Sequence, residues 1–273
     1  MPITAFQKNV LKLIKSNRSP DSYVAGGTAI QRAPDSLRFS DDIDFFHDAD
    51  QAVTDAFQSD RATLLSAGYD FETQISQPSF YRATVGKADE QIKLEWVRDT
   101  AFRYFPVVDD EDLGYRLHDI DLAINKCLAL ANRSVVRDAL DIIELDRDVL
   151  SLPAIVSAAC GKDPGFTPDF MLEMIQRHLT FTPDQLAAES LTKPVDPVKL
   201  KKDLLTLLEQ TRKTLQDVPA KAIGCLFIDK KGNVLKDLSK LKQTQHTPHH
   251  GTCLLYTSPS PRDRTRSRMP SSA

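Results

Sequence analysis

The chain has 273 residues, 41% hydrophobic and 27% charged, enough for a sizeable buried core and more than one subdomain. A formal net charge of −3 gives no bulk attraction to nucleic acid or an anionic membrane, so a polyanion would need a local site and stable DNA binding is not expected. No run approaches the roughly 18 consecutive apolar residues of a membrane helix. The lysine-bearing N-terminus lacks a signal peptide's apolar core, and the cysteines at 127, 160, 225 and 253 form no CxxC pair. A reduced, cytoplasmic protein is the expectation.

Residues 5–13 form the first helix, with Phe6, Val10, Leu11 and Ile14 spaced for one apolar face. Turn chemistry at 17–21 precedes a short buried strand, 23–25, which Gly26 and Gly27 end. A short helix over 28–32, a strand over 39–46 and a helix over 49–67 follow, the last closed by Gly68. Strand-like runs at 69–75, 79–85 and 91–97 complete an α/β or α+β domain over residues 1–115.

From residue 116 the pattern turns helical, with 119–132, 134–145 and shorter, proline-punctuated pieces forming a domain to 217. A tail over 218–243 reads as a β-hairpin, strand-like over 222–235 and turning at Lys230-Lys231-Gly232-Asn233. Residues 244–273 are rich in Ser, Pro, Thr and Arg without periodicity, and CLLYTSPSPRD resembles vector read-through. That stretch reads as a disordered, artefactual tail.

The chemistry concentrates in YVAGGTAIQRAPDSLRFSDDIDFF. Strand alternation points Asp42 and Asp44 one way and Ile43 and Phe45 into the core, leaving Asp41 a bystander of opposite parity. Two carboxylates so close suit a hard divalent cation, Mg²⁺ or Mn²⁺. Alone, the pair also fits a polar strand edge. Gly26 and Gly27, ending a strand before a helix, can cradle phosphate with backbone N–H groups. In QIKLEWV, Glu95 projects opposite Trp96, so three carboxylates on adjacent strands could hold two metal ions, with Glu95 as general base.

A second constellation is basic. Lys126 and Arg133, two helical turns apart, share a face, and Arg137 and Asp141 are spaced for an intrahelical ion pair. If that face looks toward the acidic strand, Lys126 meets a triphosphate, and Asp138 and Asp141 orient Lys126 and Arg133. A salt-bridged surface helix would carry the same spacing. His47 is a weaker candidate for touching substrate. No Walker-type loop or nucleophile elbow occurs.

Gly26-Gly27-Thr28-Ala29 followed by Ser40-Asp41-Asp42-Ile43-Asp44-Phe45-Phe46 resembles the signature of the AbiEii/AbiGii-like nucleotidyltransferases, the toxins of abortive-infection (phage-defence) systems. A second family element matches in order: Lys126, Ala129-Leu130, Arg133 and Arg137-Asp138-Ala139-Leu140-Asp141. The two span residues 22–145. One departure is Leu37-Arg38-Phe39, where the family commonly has a His-Arg pair before the serine.

The resemblance implies a polymerase-β-like core with a mixed sheet and an appended helical domain. It implies metal-dependent transfer of a nucleotide from an NTP to RNA, such as a tRNA end, or to a protein hydroxyl, with a cognate antitoxin restraining the toxin. Asp42, Asp44 and Glu95 would hold Mg²⁺ or Mn²⁺. Gly26, Gly27, Thr28, Ser40, Lys126, Arg133, Asp138 and Asp141 would bind the nucleotide, with Lys126 catalytic. A small-molecule nucleotidyltransferase of the antibiotic-modifying type, or a non-catalytic regulator, could use the same fold.

Overall fold

In the computed structural model, which describes residues 3–33, 35–242 and 244–253, a capping box opens the first helix, α1 (Ala5–Ile14), through Thr4 and Gln7. Then come β1 (Ser22–Ala25), α2 (Gly26–Ile30), β2 (Asp42–His47) and α3 (Asp50–Ser66). A meander follows, β3 (Asp70–Gln77), β4 (Phe80–Lys87) and β5 (Glu90–Arg98), with short strands β6 (Phe102–Arg103), β7 (Val108–Asp110) and β8 (Gly114–Arg116).

The main sheet runs β3-β4-β5-β2-β1-β8-β7. Its β2–β5 and β1–β8 pairs are parallel and the rest antiparallel, the mixed sheet expected. β1 is buried throughout, as suits a central strand, whereas the edge strand β3 is largely exposed and polar. α1 and α3 cover one face. Val10, Ile14, Phe45, Phe57 and Trp96 join that core, with the Phe57 and Trp96 rings edge-on at 5.2 Å.

The helical part comprises α4 (Asp119–Asn132), α5 (Val136–Asp148), α6 (Leu152–Lys162), α7 (Pro168–His178), α8 (Pro183–Ala187) and α9 (Pro197–Gln216). Four of the six prolines that punctuate this stretch are helix starts: Pro153, Pro168, Pro183 and Pro197 all lie in first turns, where the missing N–H has no helical partner anyway. A second hydrophobic cluster, including Cys127, Leu140, Ile155, Leu172 and Leu204, holds these helices. α4 joins the two halves, lending Leu122 to the sheet cluster and Ile124 and Leu130 to the helical one.

The C-terminal stretch departs from expectation. β9 (Leu226–Asp229) turns at Gly232 and makes one bridge, Ile228 to Val234, but its ladder partner is β10 (His246–His249), beyond the expected break at 244. β11 (Thr252–Cys253) pairs with β6, and His249 Nε2 lies 2.8 Å from the Tyr104 carbonyl. The rest of the tail assigned to 244–273, from 254 onward, lies outside the described residues. All four cysteines are free. No described helix is long and apolar enough to cross a membrane.

Candidate active site

β2 builds the acidic side. Ile43 and Phe45 are wholly buried, so Asp42 and Asp44 face the opposite way, toward α4 and α5. The parallel β2–β5 register sets Lys93 beside Asp42 and Glu95 beside Asp44. Asp41, of the other parity, is exposed and accepts a hydrogen bond from Ser190 Oγ at 3.1 Å.

The two glycines hold their places by close approach. Gly26 has φ +61°, and a Cβ there would collide with Asp44 Oδ2. A Cβ on Gly27 would stand 2.9 Å from Ser40 Oγ and 3.0 Å from Arg38 Nη2. α2, which begins at these glycines, is only five residues long.

Thr28 and Ser40, expected at the nucleotide, are buried behind the strand. Thr28 Oγ1 donates to the Asp42 carbonyl at 2.6 Å and Ser40 Oγ to the same carbonyl at 3.0 Å, so both fix the backbone that carries the aspartates.

α4 and α5 build the basic side. Lys126 Nζ lies 2.9 Å from both Asp138 Oδ1 and Asp141 Oδ2. Arg133 Nε donates to Asp138 Oδ2 at 2.7 Å, and Arg38 grips Asp141 with two bonds, from Nε at 2.7 Å and Nη2 at 2.8 Å. Three cations thus share two buried carboxylates, leaving a surplus of positive charge. Burial pulls the Lys126 ammonium pKa down, but Asp141 and Asp138 more than offset it, so the group stands above its ordinary value. Asp138 and Asp141 are held low: burial raises them, and Lys126 with the arginines outweighs it.

The expected Arg137–Asp141 pair does not form. Arg38, brought in from the turn before β2, takes Asp141 instead, and Arg137 reaches across to Asp42 Oδ2 at 3.5 Å.

Between the two sides lies a cleft of about 730 Å³, lined by Gly26, Gly27, Asp42, Asp44, Glu95, Lys126, Arg133 and Arg137, with Phe46 and Phe80 as apolar walls. Asp138 and Asp141 do not line it and sit behind Lys126. His47 shares the parity of Phe45 and is fully buried, its Nε2 3.0 Å from Ser22 Oγ and its Nδ1 3.3 Å from the Val97 carbonyl, away from the cleft. Burial, then Arg18, pushes its pKa down to about 4.

Lys93, Arg82 and Arg38 are site residues not anticipated from the sequence. Lys93 was legible in principle, since it alternates onto the Glu95 face in QIKLEWV. Its ammonium bridges Asp42 Oδ2 at 3.1 Å and Glu95 Oε1 at 3.4 Å, and Arg82 Nε donates to Glu95 Oε1 at 2.9 Å.

The donors suit a hard divalent cation in type and register. Asp44 makes no ion pair among the described residues, and burial, then Asp42 and Glu95, raises its pKa to about 7, with Lys126 and Arg137 offsetting only part of the rise. The three acids nevertheless do not close into a cage. Among the described residues no three His, Cys, Asp or Glu side chains form a metal-binding group; Lys93 and Arg82 hold Glu95, and Lys93 and Arg137 hold Asp42.

Residues 11–218 match the model of the nucleotidyl transferase AbiEii toxin family, type IV toxin–antitoxin system. Among solved structures, the chain is similar to MenT4, a nucleotidyltransferase toxin from Mycobacterium tuberculosis H37Rv: 18% identity and a TM-score of 0.58, over 79% of this chain and 83% of that one. JHP933 from Helicobacter pylori matches at 18% identity and a TM-score of 0.48, over 77% of this chain and 91% of that chain. A search of curated proteins finds no match. With three quarters of its length inside the family model, the chain belongs to the AbiEii family of nucleotidyltransferase toxins.

Proposed function

We propose that the cleft transfers a nucleotide from an NTP to a hydroxyl of RNA, such as a tRNA end, or of a protein, in a divalent-metal-dependent reaction that a cognate antitoxin restrains. One observation carries this reading: a cluster of three carboxylates faces a bank of three or more cations across one cleft. Negative charge developing on a triphosphate would meet groups already in place.

Lys126 is the centre of the basic bank. Asp138 and Asp141 hold its ammonium in one orientation, so little reorganisation remains when phosphate arrives. Arg133 and Arg137 extend the same bank, their side chains 51% and 29% exposed, Arg133 held by Asp138 and Arg137 by Asp42. Gly26 brings the backbone against Asp44 without a side chain to block the phosphates.

Mg²⁺ or Mn²⁺ on Asp42, Asp44 and Glu95 would supply Lewis-acid polarisation and charge neutralisation at the reacting phosphate. The acceptor oxygen bonds to the α-phosphorus as the bond to pyrophosphate breaks, and Glu95 takes the acceptor proton. Arg82 and Lys93 hold the Glu95 carboxylate in the structure, so that role requires them to release it.

The test offers each of the four α-labelled NTPs to the protein with Mg²⁺, total cell RNA and total cell protein. Label should enter RNA or protein with the wild type, and Asp44→Asn should lower incorporation by at least about a hundredfold, the scale of losing a well-placed charge-stabilising group. No incorporation into either pool with any NTP would sink the reading.

A further inference from the structure

On the metal-dependent reading of this cleft, we propose that Lys93 is a built-in counter-ion that competes with the divalent cation for Asp42 and Glu95, and so sets how much metal the site needs. Three observations support it. The β2–β5 register places Lys93 directly beside Asp42, and alternation puts it on the Glu95 face, so the strand pair sets one cation and three carboxylates side by side. Its ammonium lies 3.1 Å from Asp42 and 3.4 Å from Glu95, bridging two of the three expected metal donors. The neighbouring arginines do not bridge: Arg82 reaches Glu95 and Arg137 reaches Asp42, each from its own side.

An ammonium and a divalent cation on the same two carboxylates repel each other at a few ångströms and compete for their oxygens, so each weakens the other's hold. Lys93 suits an exchangeable occupant: its charge is compact, its stem flexible, and its side chain is 37% exposed on the cleft wall. Asp44, which makes no ion pair among the described residues, is the donor open to metal while Lys93 stays in place. The lysine neutralises the strand pair without metal, and metal binding there must compete with it.

The experiment measures Mn²⁺ binding to the full chain without nucleotide, by electron paramagnetic resonance of free Mn²⁺. Wild type, Lys93→Met, Lys93→Arg and Asp44→Asn are compared after circular dichroism confirms their fold. Removing one competing charge should tighten Mn²⁺ binding about tenfold or more in Lys93→Met. Lys93→Arg should stay near wild type and Asp44→Asn should bind more weakly than both. Lys93→Gln gives the same readout if the Met variant folds poorly. Equal or weaker Mn²⁺ binding on loss of the Lys93 charge, with Asp44→Asn still weakened, overturns the competition and leaves the metal reading standing. No stoichiometric Mn²⁺ site in any variant, wild type included, overturns both.

Discussion

Asp141 shows how single residues hold this site. It is fully buried and accepts from Arg38, Lys126 and Gln31, the last at 2.8 Å. Removing it leaves two buried cations short of a partner, so Asp141→Ala should cost about 3–5 kcal/mol of stability in equilibrium unfolding. A loss under about 1 kcal/mol would mean that the network rearranges freely.

His47 makes a prediction in pH. Its folded pKa is about 4, against about 6.5 in an unfolded chain, so between those values the unfolded state binds a proton that the folded state refuses. Stability is therefore fully present above pH 6.5 and falls as pH drops toward 4, by up to about 3 kcal/mol from this residue alone. His47→Gln should flatten that part of the pH–stability curve; an unchanged slope would assign the acid sensitivity elsewhere.

At the scale of elements, the β1–α2–β2 unit does most of the placing. Period-two alternation made Asp42 and Asp44 legible as a pair, and Asp41 as a bystander, from β2 alone. The same rule, applied to β5, reveals Glu95 but needs the β2–β5 register to reveal that Lys93 meets Asp42. Register between strands some fifty residues apart is set by the whole sheet, not by local pattern. The Arg38–Asp141 pair, 103 positions apart, was hidden for the same reason. Thr28 and Ser40 donate to the Asp42 carbonyl, and a hydroxyl next to an acidic motif looks the same in sequence whether it faces ligand or backbone.

Gly26 tests this unit. Gly26→Ala combines a left-handed backbone with a side chain driven into Asp44, so it should cost about 1–3 kcal/mol of stability. It should also lower nucleotide transfer at least tenfold by moving the carboxylate. Unfolding and transfer assays on one preparation check both, and full transfer in Gly26→Ala would deny the close approach any role.

Across the whole molecule, the cleft lies where the sheet cluster and the helical cluster meet, with α4 contributing to both. The order of sheet then helices was readable, because the hydrophobic period changes near residue 116. The strands β6, β7 and β8, two or three residues each, are too short to show any period. The pairing of β10 and β11 escaped because His-Thr-Pro-His of β10, which pairs with β9, carries no strand pattern, and the two-residue β11, which pairs with β6, is too short to show one. Ending the chain after residue 243 would remove that ladder and the His249 contact with Tyr104. Such a truncation should cost upward of about 2 kcal/mol, at roughly 1 kcal/mol net per hydrogen bond lost. An unchanged unfolding midpoint would show that the tail adds nothing to the fold.

The proposed transfer requires that the carboxylates of β2 and β5 and the cations of α4 and α5 act together on a triphosphate in one cleft. Pyrophosphate release is its most direct readout, since that leaving group appears whatever the acceptor. With an NTP, cell RNA and protein, and Mg²⁺, the wild type should release pyrophosphate in step with label transfer. Release should vanish in chelator and in a folded Asp44→Asn variant. Release that persists undiminished in chelator, or at the wild-type rate in Asp44→Asn, would contradict the account.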